Sequence, residues 1–326
     1  MAELLQAPKG MVDLLPRETA RWQAVEACAR DVFRRYGYGE VRTPLAEHTE
    51  LFARGVGEGT DLVAKQMYTF DDRGGRSVSL RPEGTAGVVR AYLEAGLPKT
   101  DPVQKWWYAG AMFRYERMQK GRQRQFHQIG CEVLGLGEPT VDAEAMELLV
   151  ALYRALGFEA VELQLNSLGC AEDRAPYRAA LTEFLRARAD RLSEDSRRRL
   201  EQNPLRVLDS KDPRDVEAAA GAPAPIDHLC AACRAHHDGV ERALRGAELP
   251  FVAAPRLVRG LDYYTRTVFE LVDRGGRLGA QDALAGGGRY DGLVAELGGP
   301  PTPACGWALG LERLLLALPE AGGAAA

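Results

Sequence analysis

Two arginine-bearing segments lie far apart in this chain. One runs Phe113-Arg114-Tyr115-Glu116 and continues through Lys120-Gly121-Arg122 to Arg124-Gln125-Phe126-His127-Gln128. The other runs Leu257-Val258-Arg259-Gly260-Leu261-Asp262-Tyr263-Tyr264-Thr265-Arg266-Thr267. A guanidinium is always charged, and its planar fork fits the oxygens of phosphate and carboxylate. Interleaved with glycine, aromatics and single carboxylates, these arginines point to a site that grips a polyanion while reading a small polar molecule. Nucleotidyl transfer to a carboxylate is chemistry of this kind. Charge develops on the α-phosphate and requires positive donors fixed in advance, and an arginine anchored on a strand is rigid enough to be one. Taken alone, Arg114 reads equally as a strand-end arginine in an ion pair.

Other segments carry chemistry of their own. In Arg81-Pro82-Glu83-Gly84-Thr85, Glu83 supplies charge and Thr85 an oxygen near a helix start, a fit for an ammonium group. An ordinary helix N-terminus with an acid at the positive end of its dipole fits the same residues. Ala285-Gly286-Gly287-Gly288-Arg289-Tyr290-Asp291-Gly292 lets backbone approach a ligand closely, or makes a plain glycine turn. It lacks the spacing of a dinucleotide fingerprint, and the chain has no Gly-x-x-x-x-Gly-Lys-Ser/Thr phosphate loop. His228, Cys230, Cys233, His236 and His237 form a constellation in which helical spacing puts Cys230, Cys233 and His237 on one face, a set that could bind zinc. Cysteine also packs as a small core hydrophobe, so no metal is assigned on this pattern.

The elements that must position these groups follow from periodicity. Trp22, Val25, Cys28, Ala29, Val32 and Phe33 predict an amphipathic helix over 19–36 with Thr19 as N-cap, followed by a short strand at Val41-Arg42-Thr43-Pro44. Met67–Phe70 and Ser77–Leu80 predict a hairpin of two half-buried strands, with helix 85–94 beginning at Thr85. Lys105–Arg114 and Arg124–Leu134 read as antiparallel strands whose loop, Glu116–Gln123, projects basic side chains from a sheet. A helix over 141–156 and an alternating strand from Val161 follow. Residues 171–249 are charged and alanine-rich, with helical periodicity at 175–187, 193–201 and 227–245 and a linker at Gly221–Pro225, and they read as a helical insertion. The sheet resumes with Thr267–Val272, a tight turn at Gly286–Gly288, and Cys305–Ala317 as a strand running into a last helix. The predicted organisation is therefore a catalytic domain split between 1–170 and 250–320, the insertion at 171–249, and a frayed tail at 321–326.

The chain has 326 residues and 46% hydrophobic residues, enough for a sizeable core. A net charge of −4 excludes a binder that recognises nucleic acid by overall charge, so any such contact must be local. The stretch from Arg114 to Arg124 is such a patch, holding Arg114, Arg117, Lys120, Arg122 and Arg124 against Glu116. No stretch has the length and apolarity of a signal peptide or a membrane span, and six cysteines in this length make no dense disulfide framework. The reading is a cytoplasmic protein with reduced thiols.

In this order, the segments at 113–128, 257–270 and 306–313 resemble the histidyl-tRNA synthetases, class II aminoacyl-tRNA synthetases. The resemblance runs from about Gly10 to Leu318. It implies an α+β fold, a mainly antiparallel sheet flanked by helices, and motif 1 at the first helix and strand, which builds a homodimer interface in that family. It implies that Arg114 of motif 2 contacts the α-phosphate and the histidine carboxylate, with Arg259 across the α-phosphate doing the electrostatic work of a metal. Glu116 and Phe126 would hold adenine, Arg122 the terminal phosphate, and Arg313 of motif 3 would stack on adenine and reach the γ-phosphate. The amino acid would meet Glu83 and Thr85 at its ammonium group and Gln128 nearby. Tyr264 and Glu132 would meet its imidazole, with Tyr263 and Tyr290 lining the pocket. A buried hydroxyl and a carboxylate on the two imidazole nitrogens would reject side chains lacking them, since unpaired buried polar groups are costly. Glu132 alone reads equally as a sheet-edge acid facing water.

The implied activity is histidine–tRNA ligation: ATP and histidine form histidyl-adenylate and pyrophosphate, magnesium bridges the phosphates, and histidine passes to the tRNA 3′ end. Members continue past motif 3 into an anticodon-reading domain, for which few residues follow here. tRNA contact is thus expected at the acceptor stem, through loop 117–124. The alternative is the regulatory subunit of ATP phosphoribosyltransferase, a synthetase-like paralogue that lacks that domain. It need not keep Glu83, Arg114, Gln128, Glu132, Arg259, Tyr264 and Arg313, which this chain has.

Overall fold

An eight-stranded sheet forms the centre of the protein. The computed structural model describes residues 4–57, 60–119, 121–208, 210–278 and 282–318; Lys120 and the expected tail lie outside the described residues.

The chain begins with helix α1 (Pro16–Arg35), whose apolar stripe buries Trp22, Val25, Ala29, Val32 and Phe33. Burial of each larger side chain contributes about 1.5–3 kcal/mol. The helix starts earlier than its stripe, because Pro16 takes a first-turn position where its missing N–H costs nothing. Leu15 is therefore the N-cap, and the Thr19 hydroxyl donates to the Pro16 carbonyl instead of capping. The first strand, β1 (Gly39–Glu40), ends before the expected Val41–Pro44, and only the Val41 N–H continues the ladder, to the Trp107 carbonyl. After β2 (Ala46–His48) and helix α2 (Thr49–Val56) comes the expected hairpin, β3 (Tyr68–Asp71) and β4 (Ser77–Leu80). β2 joins it to make a separate three-stranded sheet, and Phe70 is half exposed. Helix α3 (Thr85–Glu94) spans the expected residues, and the short α4 (Leu97–Thr100) follows.

Strands β5 (Gln104–Phe113) and β6 (Gln125–Leu134) pair antiparallel along their whole lengths. Helix α5 (Pro139–Ala155) and strand β7 (Val161–Ser167) come next. The following segment is helical: α6 (Ala171–Arg186), α7 (Glu194–Gln202), α8 (Leu205–Leu208), α9 (Pro213–Ala218) and α10 (Ala231–Gly246). Tyr177, Leu181, Leu185, Leu192, Leu200, Val207 and Ala218 form a small core of its own, whereas Val240 and Leu244 of α10 join the main core. Inside the small core, buried Asp215 accepts hydrogen bonds from the hydroxyls of Ser193 (2.8 Å), Ser196 (2.6 Å) and Ser210 (2.6 Å).

The chain returns through β8 (Phe251–Ala253), β9 (Thr265–Asp273), β10 (Ala283–Arg289), α11 (Leu293–Glu296), β11 (Ala304–Gly310) and α12 (Leu311–Ala317). The large sheet has the order β1-β5-β6-β11-β10-β9-β7-β8, antiparallel except at its two outer pairs. Gly286–Gly288 is not a tight turn. The three glycines lie inside β10, paired on both sides, where the Arg259 side chain at Gly286 and backbone oxygens and side chains of the neighbouring strands at Gly287 and Gly288 occupy the space a Cβ would need. One face of the sheet packs on α1, α5 and α10 around Ile129, Cys131, Val133, Trp307 and Leu309. Among the described residues, no helix is long and apolar enough to cross a membrane.

One buried ion pair ties α5, α10, β9 and β10 together. Asp142, fully buried, meets the Arg289 guanidinium, lies 2.8 Å from His236 Nε2 and accepts the Thr267 hydroxyl at 2.6 Å. Burial raises the Asp142 pKa, but hydrogen bonds from His236 and Arg289 outweigh it and hold the carboxyl below its usual value. Asp142→Ala is expected to cost about 3–5 kcal/mol, because it removes the fully buried partner of the Arg289 guanidinium and leaves it only the partly exposed Asp291. Urea unfolding monitored by circular dichroism measures this, and a loss under about 1 kcal/mol would remove the pair from the fold's support.

Candidate active site

β6 shows how the sheet builds a site. Its residues alternate between faces. Ile129, Cys131 and Val133 enter the main core, while Phe126, Gln128 and Glu132 line a cavity of about 550 Å³ on the opposite face. β11 repeats the alternation: Cys305, Trp307 and Leu309 are buried in the core, and Gly306, Ala308 and Gly310 make a small-residue floor. The cavity brings together every candidate ligand residue from the sequence. Glu83, Thr85, Gln128, Glu132, Tyr263, Tyr264 and Tyr290 line it, as do Arg114, Glu116, Arg122, Phe126, Arg259 and Arg313.

At one end the groups are deeply buried. Glu132 is 1% exposed, so it is not a sheet-edge acid facing water. It accepts the Thr85 hydroxyl at 2.7 Å on Oε1 and the Tyr290 hydroxyl on Oε2. Burial lifts its pKa, the Tyr290 and Thr85 hydrogen bonds oppose the rise, and the result is about 8. The floor is cut to fit: a Cβ on Gly306 would lie 1.9 Å from Glu132 Oε2. Glu83 accepts the backbone N–H groups of Thr85 (2.7 Å) and Ala86 (3.0 Å), so it caps the first turn of α3 while facing the cavity. Burial raises the Glu83 pKa against those bonds. Tyr263 packs against Tyr264 and edge-on to Tyr290, with ring centroids 4.7 and 5.6 Å apart. Gln128 Oε1 is buried and accepts no hydrogen bond from the described residues. A buried acceptor of this kind calls for a donor.

The other end is cationic. The Arg114 Nε donates to the Pro82 carbonyl at 2.7 Å, and its guanidinium lies 5.0 Å from the centre of the Phe126 ring. Arg114 is thus held by backbone and ring, rather than by the ion pair that was the competing reading. Arg259 donates from Nη1 to Glu270 Oε2 at 2.7 Å. Arg122 lies 3.4 Å from Glu116, and Arg313 Nη1 donates to the Ala283 carbonyl at 2.9 Å. A Cβ on Gly121 would lie 3.4 Å from Leu316 Cδ1 and 3.9 Å from Arg313 Cβ, so Gly121 sits beside α12.

Sequence reasoning missed three partners. Glu270 is the carboxylate facing Arg259, and its signal was a lone acid among apolar residues of β9. Glu312 accepts the His127 N–H on both oxygens, at 2.9 and 3.0 Å, and so clamps the start of α12 to β6. Tyr108 is buried on the cavity wall, where glycines at 84 and 130 make room for its ring, and no local pattern marks it.

The zinc pattern is corrected. His237 Nε2 faces Glu241 at 3.5 Å, His236 bonds Asp142, and His228 packs on Tyr177. Cys230 is the extended N-cap of α10, so helical spacing does not apply to it. Cys230 and Cys233 converge instead with Cys170 and Asp173.

The family model described as Histidyl-tRNA synthetase matches residues 10–314. The chain belongs to the histidyl-tRNA synthetase family. The histidine–tRNA ligase of Desulforudis audaxviator is 56% identical over 313 residues, which is 96% of this chain and 74% of that protein. Apo histidyl-tRNA synthetase from S. aureus superimposes with a TM-score of 0.77 at 37% identity, covering 99% of this chain and 75% of that one. The mainly antiparallel sheet flanked by helices is thus this family's α+β fold. A Bacillus halodurans protein described as an ATP phosphoribosyltransferase regulatory subunit/histidyl-tRNA synthetase has a TM-score of 0.72 at 22% identity, over 98% of this chain and 85% of that one. Its likeness is one of fold. Identity to the ligases, not fold, separates the family reading from the paralogue.

Proposed function

We propose that this chain activates histidine with ATP and passes it to the 3′ end of a tRNA. The observation that carries this is the single cavity with a deeply buried carboxylate–tyrosine end and an arginine-rich end. Histidine lies at the first end. Its imidazole N–H donates to Glu132, the Tyr264 hydroxyl meets the other nitrogen, and Tyr263 and Tyr290 enclose the ring. Its ammonium group meets Glu83, Thr85 and the open acceptor Gln128 Oε1.

ATP occupies the cationic end. Phe126 and Glu116 hold adenine, Arg313 covers it, and Arg122 takes the terminal phosphate. A carboxylate oxygen of histidine attacks the α-phosphorus, the bond to the β-phosphate bridging oxygen breaks, and pyrophosphate leaves with the electron pair. Arg114 and Arg259 stabilise the charge on the α-phosphoryl oxygens. They act where water is largely excluded and such charges count most. Magnesium enters as the MgATP substrate. The nearby carboxylates Glu116 and Glu270 are paired with Arg122 and Arg259, so the protein's own charge toward the phosphates is cationic. In the second step the terminal tRNA hydroxyl attacks the acyl carbon and AMP leaves. The 114–124 loop, with Arg117 and Arg122 exposed, meets the acceptor end. The 171–249 segment acts as an insertion between the two parts of the catalytic domain. Assembly as a homodimer is part of the same proposal and rests on family membership.

The test is a thermal shift with a nonhydrolysable histidyl-adenylate analogue. Tight binding to the folded state adds about 4 kcal/mol at a thousandfold excess over Kd, so Tm rises clearly. An alanyl analogue at the same concentration, which offers the same adenylate half but no imidazole, raises Tm distinctly less. Equal shifts with both would defeat the histidine assignment.

A finer test uses Gly286, where the three atoms nearest a new Cβ would all belong to the Arg259 guanidinium, the closest at 2.3 Å. Gly286→Ala is expected to displace Arg259 and cut adenylate formation about a hundredfold, the usual cost of an ångström's misplacement, with the unfolding transition preserved. Unchanged turnover in this variant would show that the position of Arg259 does not matter.

A further inference from the structure

Outside the active-site cavity, one group of metal-ligating side chains converges among the described residues, at the base of the helical segment. We propose that Cys170, Asp173, Cys230 and Cys233 bind one zinc ion through three thiolates and a carboxylate, stapling the start of the segment to its end.

The ligand atoms of the four residues all lie within 4.8 Å of one another. Tetrahedral zinc with bonds of ~2.3 Å to sulfur sets its ligand atoms about 3.8 Å apart, so the side chains close on an ion by modest rotation. Two Cys-x-x-ligand turns make the set. Cys170-Ala171-Glu172-Asp173 opens α6, and Cys230-Ala231-Ala232-Cys233 opens α10. Cys170 and Cys230 are each the extended N-cap of a 16-residue helix. Both helices therefore turn their positive ends toward a site whose filled charge, +2 from zinc against four anionic ligands, is −2.

The surroundings suit anionic ligands. The Cys233 N–H points at Cys230 Sγ at 3.4 Å. Asp173 accepts the N–H groups of Cys170 (3.0 Å) and Cys230 (2.8 Å), which orient its carboxylate. Gly169, at φ +69°, leaves the space that Asp173 fills, since a Cβ there would lie 2.5 Å from Asp173 Cβ. Zinc binding displaces the three thiol protons. This chemistry also explains a buried carboxylate among three cysteines.

The place gives the ion a purpose. Cys170 follows β7 directly, and the preceding backbone pairs with β9: Leu168 N–H donates to the Arg266 carbonyl at 2.7 Å, and Arg266 N–H to the Gly169 carbonyl at 2.8 Å. Arg266 stands two residues after Tyr264 and holds a left-handed φ of 51°. Arg174 of α6 donates to the Asp262 carbonyl at 3.3 Å. The staple therefore anchors the segment that carries Arg259, Tyr263 and Tyr264.

The experiment is metal analysis of the intact protein purified without chelator in a phosphine reductant. The expected result is about one zinc per chain. Cys230→Ser/Cys233→Ser should carry under a tenth of that, while Asp173→Cys, which completes a four-thiolate set, should keep it. Cobalt(II) added to chelated wild-type protein should give the thiolate charge-transfer and intense visible bands of a tetrahedral site. Zinc should also slow proteolysis between 170 and 230 in wild type and not in the double variant. Wild-type protein that is folded, reduced, free of zinc and unable to take up cobalt would overturn the proposal. So would zinc content unchanged in the double variant, or a Cys230–Cys233 disulfide that persists in reductant. If the double variant fails to fold, cobalt uptake by the wild type decides alone.

Discussion

Arg259→Ala lowers the rate of histidyl-adenylate formation about 10²–10³-fold, the range found for loss of one preorganised charge donor, or roughly 2.7–4 kcal/mol. The fold should survive, because Arg259 lies at the cavity wall, paired with Glu270, and contributes nothing to the cores. One complication has a definite sign. Removing Arg259 leaves Glu270 facing the site with its charge unmatched, and that charge repels the triphosphate. Arg259→Ala/Glu270→Gln separates the two effects. It should recover part of the ATP affinity while the chemical step stays slow. Arg259→Lys keeps charge and loses the fork, so it should fall between wild type and alanine. Single-turnover kinetics with saturating ATP read the chemical step directly. A near-normal rate in Arg259→Ala would remove this residue from the mechanism.

Glu132→Gln raises the KM for histidine and leaves that for ATP nearly unchanged. A hydrogen bond to a charged group is worth about 1.5–3 kcal/mol, or roughly tenfold to 150-fold in histidine kcat/KM. The pH dependence is sharper still. In the free protein Glu132 titrates at about 8, raised chiefly by burial. Below that pH it holds a proton; above it the carboxylate accepts the imidazole N–H. Histidine kcat/KM, which reports free-enzyme groups, should therefore climb through neutrality and level off above pH 8, and Glu132→Gln should lack the climb. Stability runs the other way. The folded pKa exceeds the ordinary value of 4.5, so from about 4.5 to 8 the folded state binds the extra proton, and this group's contribution falls as pH rises. Glu132→Gln should accordingly lose less stability between pH 6 and 9 than wild type. Equal damage to histidine and ATP binding would sink the assignment of Glu132 to the imidazole.

Much of this was legible in the residues. Arg124–Leu134 reads as a strand antiparallel to Lys105–Arg114, and the sheet places its Phe126, Gln128 and Glu132 on the cavity. Helix α3 and the β5–β6 pair were readable because their periodicity is strong and their ends carry turn residues. What failed was local reading where tertiary contacts decide. Gly286–Gly288 looks like a turn by composition, yet it is mid-strand because Arg259, Trp307 and Tyr264 need the missing side chains' space. Thr19 looks like an N-cap until Pro16 is weighed. The cysteine pattern did not show which groups converge on Cys230 and Cys233. His237 shares helical spacing with Cys233, whereas Cys170 and Asp173 come from a turn some sixty residues earlier that no periodicity links to them.

The most direct measurement is ATP–pyrophosphate exchange by the purified chain with each amino acid in turn. Exchange is expected with histidine and not with the others, and it falls about 10²–10³-fold in Arg259→Ala. No histidine-dependent exchange from folded protein, or exchange indifferent to the amino acid, would contradict it.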